Sequence, residues 1–138
     1  MTSSAWIRSI ILLPLMAAPA GAFAQKQSHA NDSLYAELAQ VPAKAAAKHN
    51  PLESDPDASA AGAKLFARHC AECHGETANG AKKGPSLRAP EVQEATPGAL
   101  FWLLTNGVVR KGMPVWSKLP DAQRWQLVTY IKSLNAGS

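Results

Sequence analysis

Cys70-Ala71-Glu72-Cys73-His74 is the stretch on which the reading of this chain turns. Two thiols two residues apart, followed at once by an imidazole, allow few chemistries. A structural zinc ion takes four protein ligands, and the chain has no second cysteine pair to complete that set. A disulfide across so short a span would close a tiny loop and constrain little of the unfolded chain. A thioredoxin-like dithiol sits in a strand–helix–strand context, whereas the residues before Cys70 repeat with a helical period. C-x-x-C-H is, by contrast, the attachment signature of a c-type haem. At the end of a helix the two thiols can reach two vinyl groups of one porphyrin and form thioethers, with His74 directed at the iron. The other ring nitrogen of His74 needs an acceptor to fix its orientation. A backbone carbonyl in the following loop is expected to supply it, with Pro85 as the candidate.

Working outward, the helix that delivers the motif begins at Asp55-Pro56, where Asp suits the N-cap and Pro the first helical position. Ala58, Ala61, Gly62, Leu65 and Phe66 then fall at helical spacing. A second helix is expected from Thr96-Pro97, carrying Leu100, Phe101, Leu103 and Leu104 and ending at Asn106-Gly107, residues suited to a left-handed C-terminal turn. A third runs from about Pro120-Asp121 through Trp125, Leu127, Val128, Tyr130, Ile131 and Leu134, its acidic start favourable to the helix dipole. The segments 75–95 and 108–119 read as Gly- and Pro-rich loops, and no segment alternates long enough to make a strand. The expectation is all-α: three main helices and long loops around one covalently bound haem. Loops of about 20 residues would ordinarily count against a compact domain; a large apolar group at the centre removes the objection. Trp102 and Trp125 are expected in the core.

Upstream, the chain divides at two places. Residues 1–24 read as a signal peptide: Arg8 is the only charge, Ile10 to Ala18 is apolar, and Ala22-Phe23-Ala24 gives the small-x-small cleavage pattern. The apolar run is about half of the roughly 20 residues needed to span a bilayer. The expectation is therefore a periplasmic protein with no stable membrane insertion after cleavage. Residues 25–54 read as an arm, polar at first, with short helical turns over Ser33 to Gln40 (capped by Asn31, Asp32 or Ser33) and Pro42 to Lys48, and 55–138 as the main domain. An arm lying on the domain and a partner-docking arm are both open readings. Loss of Arg8 lowers the formal charge from +4 to +3, and two haem propionates bring it near neutrality, which argues against nucleic-acid binding.

The sixth iron ligand is the next question. Met113 is the only methionine outside the leader, and it stands in Lys111-Gly112-Met113-Pro114, a loop able to direct a side chain inward. A gap-filling core methionine, an open position, and the imidazoles of His29, His49 and His69 are the alternatives. His69 adjoins Cys70 and is expected to be directed away from the distal face. His/Met ligation is the common cytochrome c arrangement.

Over residues 55 to 135 the chain resembles the class I, mono-haem bacterial cytochromes c. The match includes Gly62 and Phe66, eight and four residues before Cys70, with Leu127 and Tyr130 in the last helix. The resemblance implies that the first and last helices cross closely at the glycine. It implies that Gly84-Pro85-Ser86-Leu87 supplies the carbonyl acceptor for His74 and a haem-packing leucine, Leu87. It also implies that Gly112-Met113-Pro114 is the distal-ligand loop. The loop from 88 to 96 is short beside the mitochondrial members of the family, which implies a more exposed haem edge, and Trp116 is the candidate to pack over that edge or donate its N–H to a propionate. The implied function is one-electron transfer between redox proteins, soluble or membrane-bound, without chemistry on a substrate. The alternatives are a haem subunit of a larger dehydrogenase or oxidase complex, a haem-based gas sensor with an open sixth site, and a thiol–disulfide oxidoreductase. Lys82, Lys83, Arg110 and Lys111 flank the two haem loops and are expected either to steer an acidic partner or simply to be solvated.

Overall fold

The computed structural model describes residues 35–137. The expected leader and the start of the arm, with His29 and the cap candidates Asn31, Asp32 and Ser33, lie outside them. The described residues form helices α1 (Ala43–Ala46), α2 (Pro56–His69), α3 (Ala71–His74), α4 (Pro90–Glu94), α5 (Pro97–Asn106) and α6 (Asp121–Ser133). Single 3-10 turns occupy Leu38–Gln40, Val109–Lys111 and Leu134–Gly137. The described residues contain no strand, only isolated bridges at Ala81–Gly84 and Val108–Met113. The fold is all-α with α2, α5 and α6 as its three main helices.

Their boundaries follow local chemistry. The Asp55 carboxylate accepts the Asp57 N–H at 2.9 Å, with Pro56 at the first helical position and Arg68 and His69 in the last turn of α2. Thr96 caps α5 by accepting the Ala99 N–H at 3.2 Å, and Gly107 (φ +67°) ends it. α6 lacks a side-chain cap at Pro120. The Asp121 carboxylate is instead hydrogen-bonded to the Arg124 guanidinium one turn on.

α2 and α6 make the closest crossing. A Cβ at Gly62 would lie 2.0 Å from the Gln126 carbonyl oxygen and 2.8 Å from Tyr130 Cβ, so the two backbones touch there. Around this point Phe66, Leu127 and Val128 are fully buried, and the Phe66 and Tyr130 rings meet at 5.3 Å. α5 closes the other side of α6 by stacking Phe101 on Trp125, with centroids 4.0 Å apart. The Arg124 guanidinium lies 4.7 Å from the centre of Phe101. Trp125 is core, as expected; Trp102 is only partly buried.

Two loops hold more structure than their composition suggests. Segment 75–95 was expected to be an open loop, yet Pro90 starts α4 and Val92 and Gln93 are buried. Gln93 Nε2 donates to the carbonyls of Leu87 (2.6 Å) and Ile131 (3.0 Å), tying α4 to α6. No hydrophobic repeat advertises a helix of five residues held by one amide. Segment 108–119 likewise contains the Val109–Lys111 turn.

Residues 35–54 lie against the helices. The Thr96 hydroxyl donates to the Ala46 carbonyl at 2.7 Å, and a Cβ at Gly98 would lie 2.3 Å from the Ala45 oxygen, so the end of α1 sits on the start of α5. Asn50 is buried; its Nδ2 donates to Thr129 Oγ1 at 2.9 Å and its Oδ1 accepts the Leu52 N–H at 2.9 Å.

Gly62→Ala should cost at least the 1–3 kcal/mol typical of overpacking, because the obstacle is backbone. Asn50→Ala should cost about 1–3 kcal/mol by leaving buried polar partners unpaired. Denaturant unfolding of the haem-loaded protein measures both.

Candidate functional site

α2 ends at His69 with Cys70 as its C-cap (φ −120°, ψ −32°), and the chain then makes the single turn α3, which holds Cys73 and His74. The His74 N–H donates to the Cys70 carbonyl at 2.9 Å, fixing the spacing of thiols and imidazole. The loop beyond is held by backbone bonds: Gly80 N–H to the His74 carbonyl at 2.8 Å and Leu87 N–H to the Ala78 carbonyl at 2.9 Å. Gly84 presses on the motif, since a Cβ there would lie 2.9 Å from the Cys73 oxygen. This fold-back brings the Pro85 carbonyl 2.8 Å from His74 Nδ1. A carbonyl can only accept, so Nδ1 carries the proton and Nε2 keeps its lone pair for a metal.

The second loop is shaped by the pair Val108–Met113, each donating its N–H to the other's carbonyl at 3.0 and 3.2 Å. Gly112 takes a left-handed conformation (φ +88°) at the turn. Trp116 N–H then donates to the Leu104 carbonyl at 3.0 Å, returning the chain to α5.

Between these loops and the helices is a cavity of about 870 Å³, toward the upper end of the roughly 300–1,000 Å³ of cofactor sites. Cys70, Cys73, His74, Pro85, Leu87, Met113 and Trp116 all line it. Val92, Leu100, Leu104 and Ile131 supply apolar walls. Two free thiols, an imidazole with its lone pair available, a thioether and apolar walls fit a c-type haem. His74 and Met113 are the residues that could hold its iron. Among the described residues no cluster of histidines, cysteines and carboxylates could hold a bare metal ion.

The geometry bears on several expectations. His69 lines the cavity, with its ring 5.3 Å from that of Trp116. Trp116 therefore packs on the residue that precedes the first cysteine of the motif. His49 is exposed and does not line the cavity. Burial, with the charge of Cys73 adding, pushes the free Cys70 thiol up to about 11. A dithiol oxidoreductase needs a lowered thiol pKa, so this environment opposes that alternative. Of the four cations flanking the loops, Lys83 is paired with Glu72 at 2.7 Å and Lys111 with Glu37 at 3.4 Å.

Sequence reasoning missed Tyr35, Glu37 and Leu38, which also line the cavity. The only signal was the apolar spacing of Tyr35 and Leu38, which indicates a buried face but not what it faces.

No solved structure matches the chain. Among the described residues no helix is long and apolar enough to cross a membrane. The family described as cytochrome c oxidase, cbb3-type, subunit III matches residues 57–131. The cbb3-type cytochrome c oxidase subunit CcoP of Rubrivivax gelatinosus is 48% identical over 54 residues, 39% of this chain and 16% of that protein. Subunit FixP of Bradyrhizobium sp. (strain ORS 278) is 34% identical over 87 residues, 57% of this chain and 28% of the relative. Subunit CcoP of Azospirillum sp. (strain B510) is 35% identical over 98 residues, 64% of this chain and 32% of the relative. The chain thus spans a third or less of the length of these relatives. With the family matching α2 through most of α6, the chain belongs to the cbb3-type cytochrome c oxidase subunit III family, a cytochrome c-type domain whose implied cofactor is a covalently bound c-type haem.

Proposed function

We propose that the chain is a one-electron relay carrying one haem on Cys70 and Cys73, with His74 and Met113 as axial ligands, and that it works as the haem component of a larger oxidase-type complex. The observation that carries the relay is the single cavity in which all of these side chains meet. The oxidase setting is favoured by the relatives, which are named as oxidase subunits. It displaces the free periplasmic carrier that the sequence alone suggested.

Cys70 and Cys73 would hold the haem by thioether bonds, each S–H adding across a vinyl group with nothing lost. When bound, the haem supplies an iron that alternates between ferrous and ferric states, so one electron passes without bond-making in a substrate. The chain's own residues hold that centre in one coordination state. Pro85 keeps the proton on His74 Nδ1, so the imidazole cannot turn its lone pair away. Met113 offers a neutral thioether, which raises the potential. Leu87, Val92, Leu100, Leu104 and Ile131 exclude water. A centre with both axial positions taken has no place for a gas, which separates this reading from a sensor.

Optical spectra and the mass of the purified full chain test the relay. One covalent haem adduct and a low-spin, methionine-ligated spectrum are expected. Met113→Ala should lose the methionine–iron charge-transfer band, lower the potential and open the ferrous protein to carbon monoxide, with the haem still attached. A mass without a haem adduct overturns the reading. Affinity capture of the full chain from its native host's envelope tests the setting: recovery with oxidase subunits is expected, and recovery alone, with rapid electron exchange in solution, would restore the free carrier.

A further inference from the structure

The arm's end nearest the cavity, residues 35–38, has no counterpart in the motifs above, yet it touches both ligand loops. The Tyr35 hydroxyl donates to the Ser86 carbonyl at 2.9 Å. Ser86 directly follows Pro85, whose carbonyl orients His74. Two residues along, Glu37 Oε1 lies 3.4 Å from Lys111 Nζ, and the Glu37 side chain is only 19% exposed. Lys111 closes the turn inside the Val108–Met113 pair, two residues before the methionine. Leu38 and Tyr35 pack on the core, and the segment is fixed farther along through Ala46 and Asn50.

The second loop needs such a hold more than the first. The proximal loop is knitted to His74 and Ala78 by backbone bonds on both sides. The other loop is held at its base by the Val108–Met113 pair, the Trp116–Leu104 bond and the packing of Pro114 on Gly107, while its tip carries only the turn bonds of Lys111 and Gly112 among its backbone bonds, with Val109 67% exposed. A thioether is a weak neutral donor, so its grip on iron depends on how well the loop presents it.

We propose that residues 35–38 form a strap joining the two ligand loops across the cavity, in which Tyr35 and Glu37 are positioning residues that keep Met113 on the iron. The inference rests on His74 and Met113 being the axial ligands. Each contact is modest alone; their effect comes from one anchored segment gripping both loops.

The haem-loaded full chain is compared with its Tyr35→Phe, Glu37→Gln and doubly substituted forms, each nearly isosteric. The readouts are the methionine–iron charge-transfer band of the ferric protein and carbon monoxide binding to the ferrous protein. The double variant should raise the methionine-dissociated fraction about tenfold, with a weaker band and faster carbon monoxide binding while the haem stays attached. Asp55→Ala, which removes the N-cap of α2 and leaves the strap and its anchors intact, should lower Tm and leave band and binding unchanged. A wild type with the band, and strap variants that keep its band and binding rate, would overturn the strap and leave methionine ligation standing. Equal loss of the band in Asp55→Ala would reduce the effect to general destabilisation and also overturn it. A wild type that lacks the band and binds carbon monoxide as fast as Met113→Ala sinks the ligand assignment and the strap together.

Discussion

The contact between α2 and α6 at Gly62 is the constraint from which the rest of the structure is built. With the Gln126 carbonyl standing where a side chain would begin, the two helices meet backbone to backbone. That approach seals Phe66, Leu127 and Val128 from water and brings Tyr130 onto Phe66. It also sets the cavity's dimensions from both ends. α2 runs from the crossing to Cys70, and α6 runs from it to Ile131, and both residues are in the cavity wall. A wider crossing would therefore move the attachment cysteine relative to the apolar wall it faces, so the packing of two helices and the geometry of the site are one problem.

The two ligand loops solve the next problem in different ways. On the His74 side nearly everything is done by backbone. Ala78 is fully buried in a left-handed conformation (φ +59°), a costly choice for a residue with a Cβ. Its carbonyl accepts the Leu87 N–H, which returns the loop to the motif. Gly80 and Gly84 are glycines because Ser86 and Cys73 leave no room for a Cβ. A loop so constrained can hold a carbonyl at hydrogen-bond distance from an imidazole and thereby decide its tautomer. On the Met113 side the backbone supplies the Val108–Met113 bridge, the turn bonds of Lys111 and Gly112, the Trp116 bond to α5 and the close packing of Pro114 on Gly107, and Glu37 of the arm adds an ion pair to Lys111.

What could be read from the sequence divides along the same line. The three main helices were legible because each announces its start with a cap or a proline and keeps a hydrophobic period over at least ten residues. The haem motif was legible because its residue types and spacing have one good chemical use, and Pro85, Leu87 and Met113 stand in short Gly/Pro contexts tied to it by resemblance. α4 was not legible: five residues have no period, and it is stabilised by Gln93, an amide whose partners lie in Leu87 and Ile131. The arm's contacts were not legible either, because Tyr35 meets Ser86 and Glu37 meets Lys111 across more than fifty residues of chain, with no local pattern to announce them. The contact of His69 with Trp116 was not legible, because adjacency to Cys70 in sequence says nothing of the ring that comes to lie against it.

Charge gives a last physical link between structure and setting. Four cations beside the haem loops would, if unopposed, draw an acidic partner from a distance. Lys83 is held by Glu72 and Lys111 by Glu37, and a carboxylate at 2.7 or 3.4 Å cancels most of the field that a cation projects beyond a Debye length. Two haem propionates would reduce what remains. Such pairs contribute little to stability when exposed, so their main effect at this surface is to flatten the potential. Long-range steering raises the encounter rate of partners that meet by diffusion. A haem domain already held beside its electron donor and acceptor has no encounter to accelerate, and a muted field at the haem loops is what that arrangement permits.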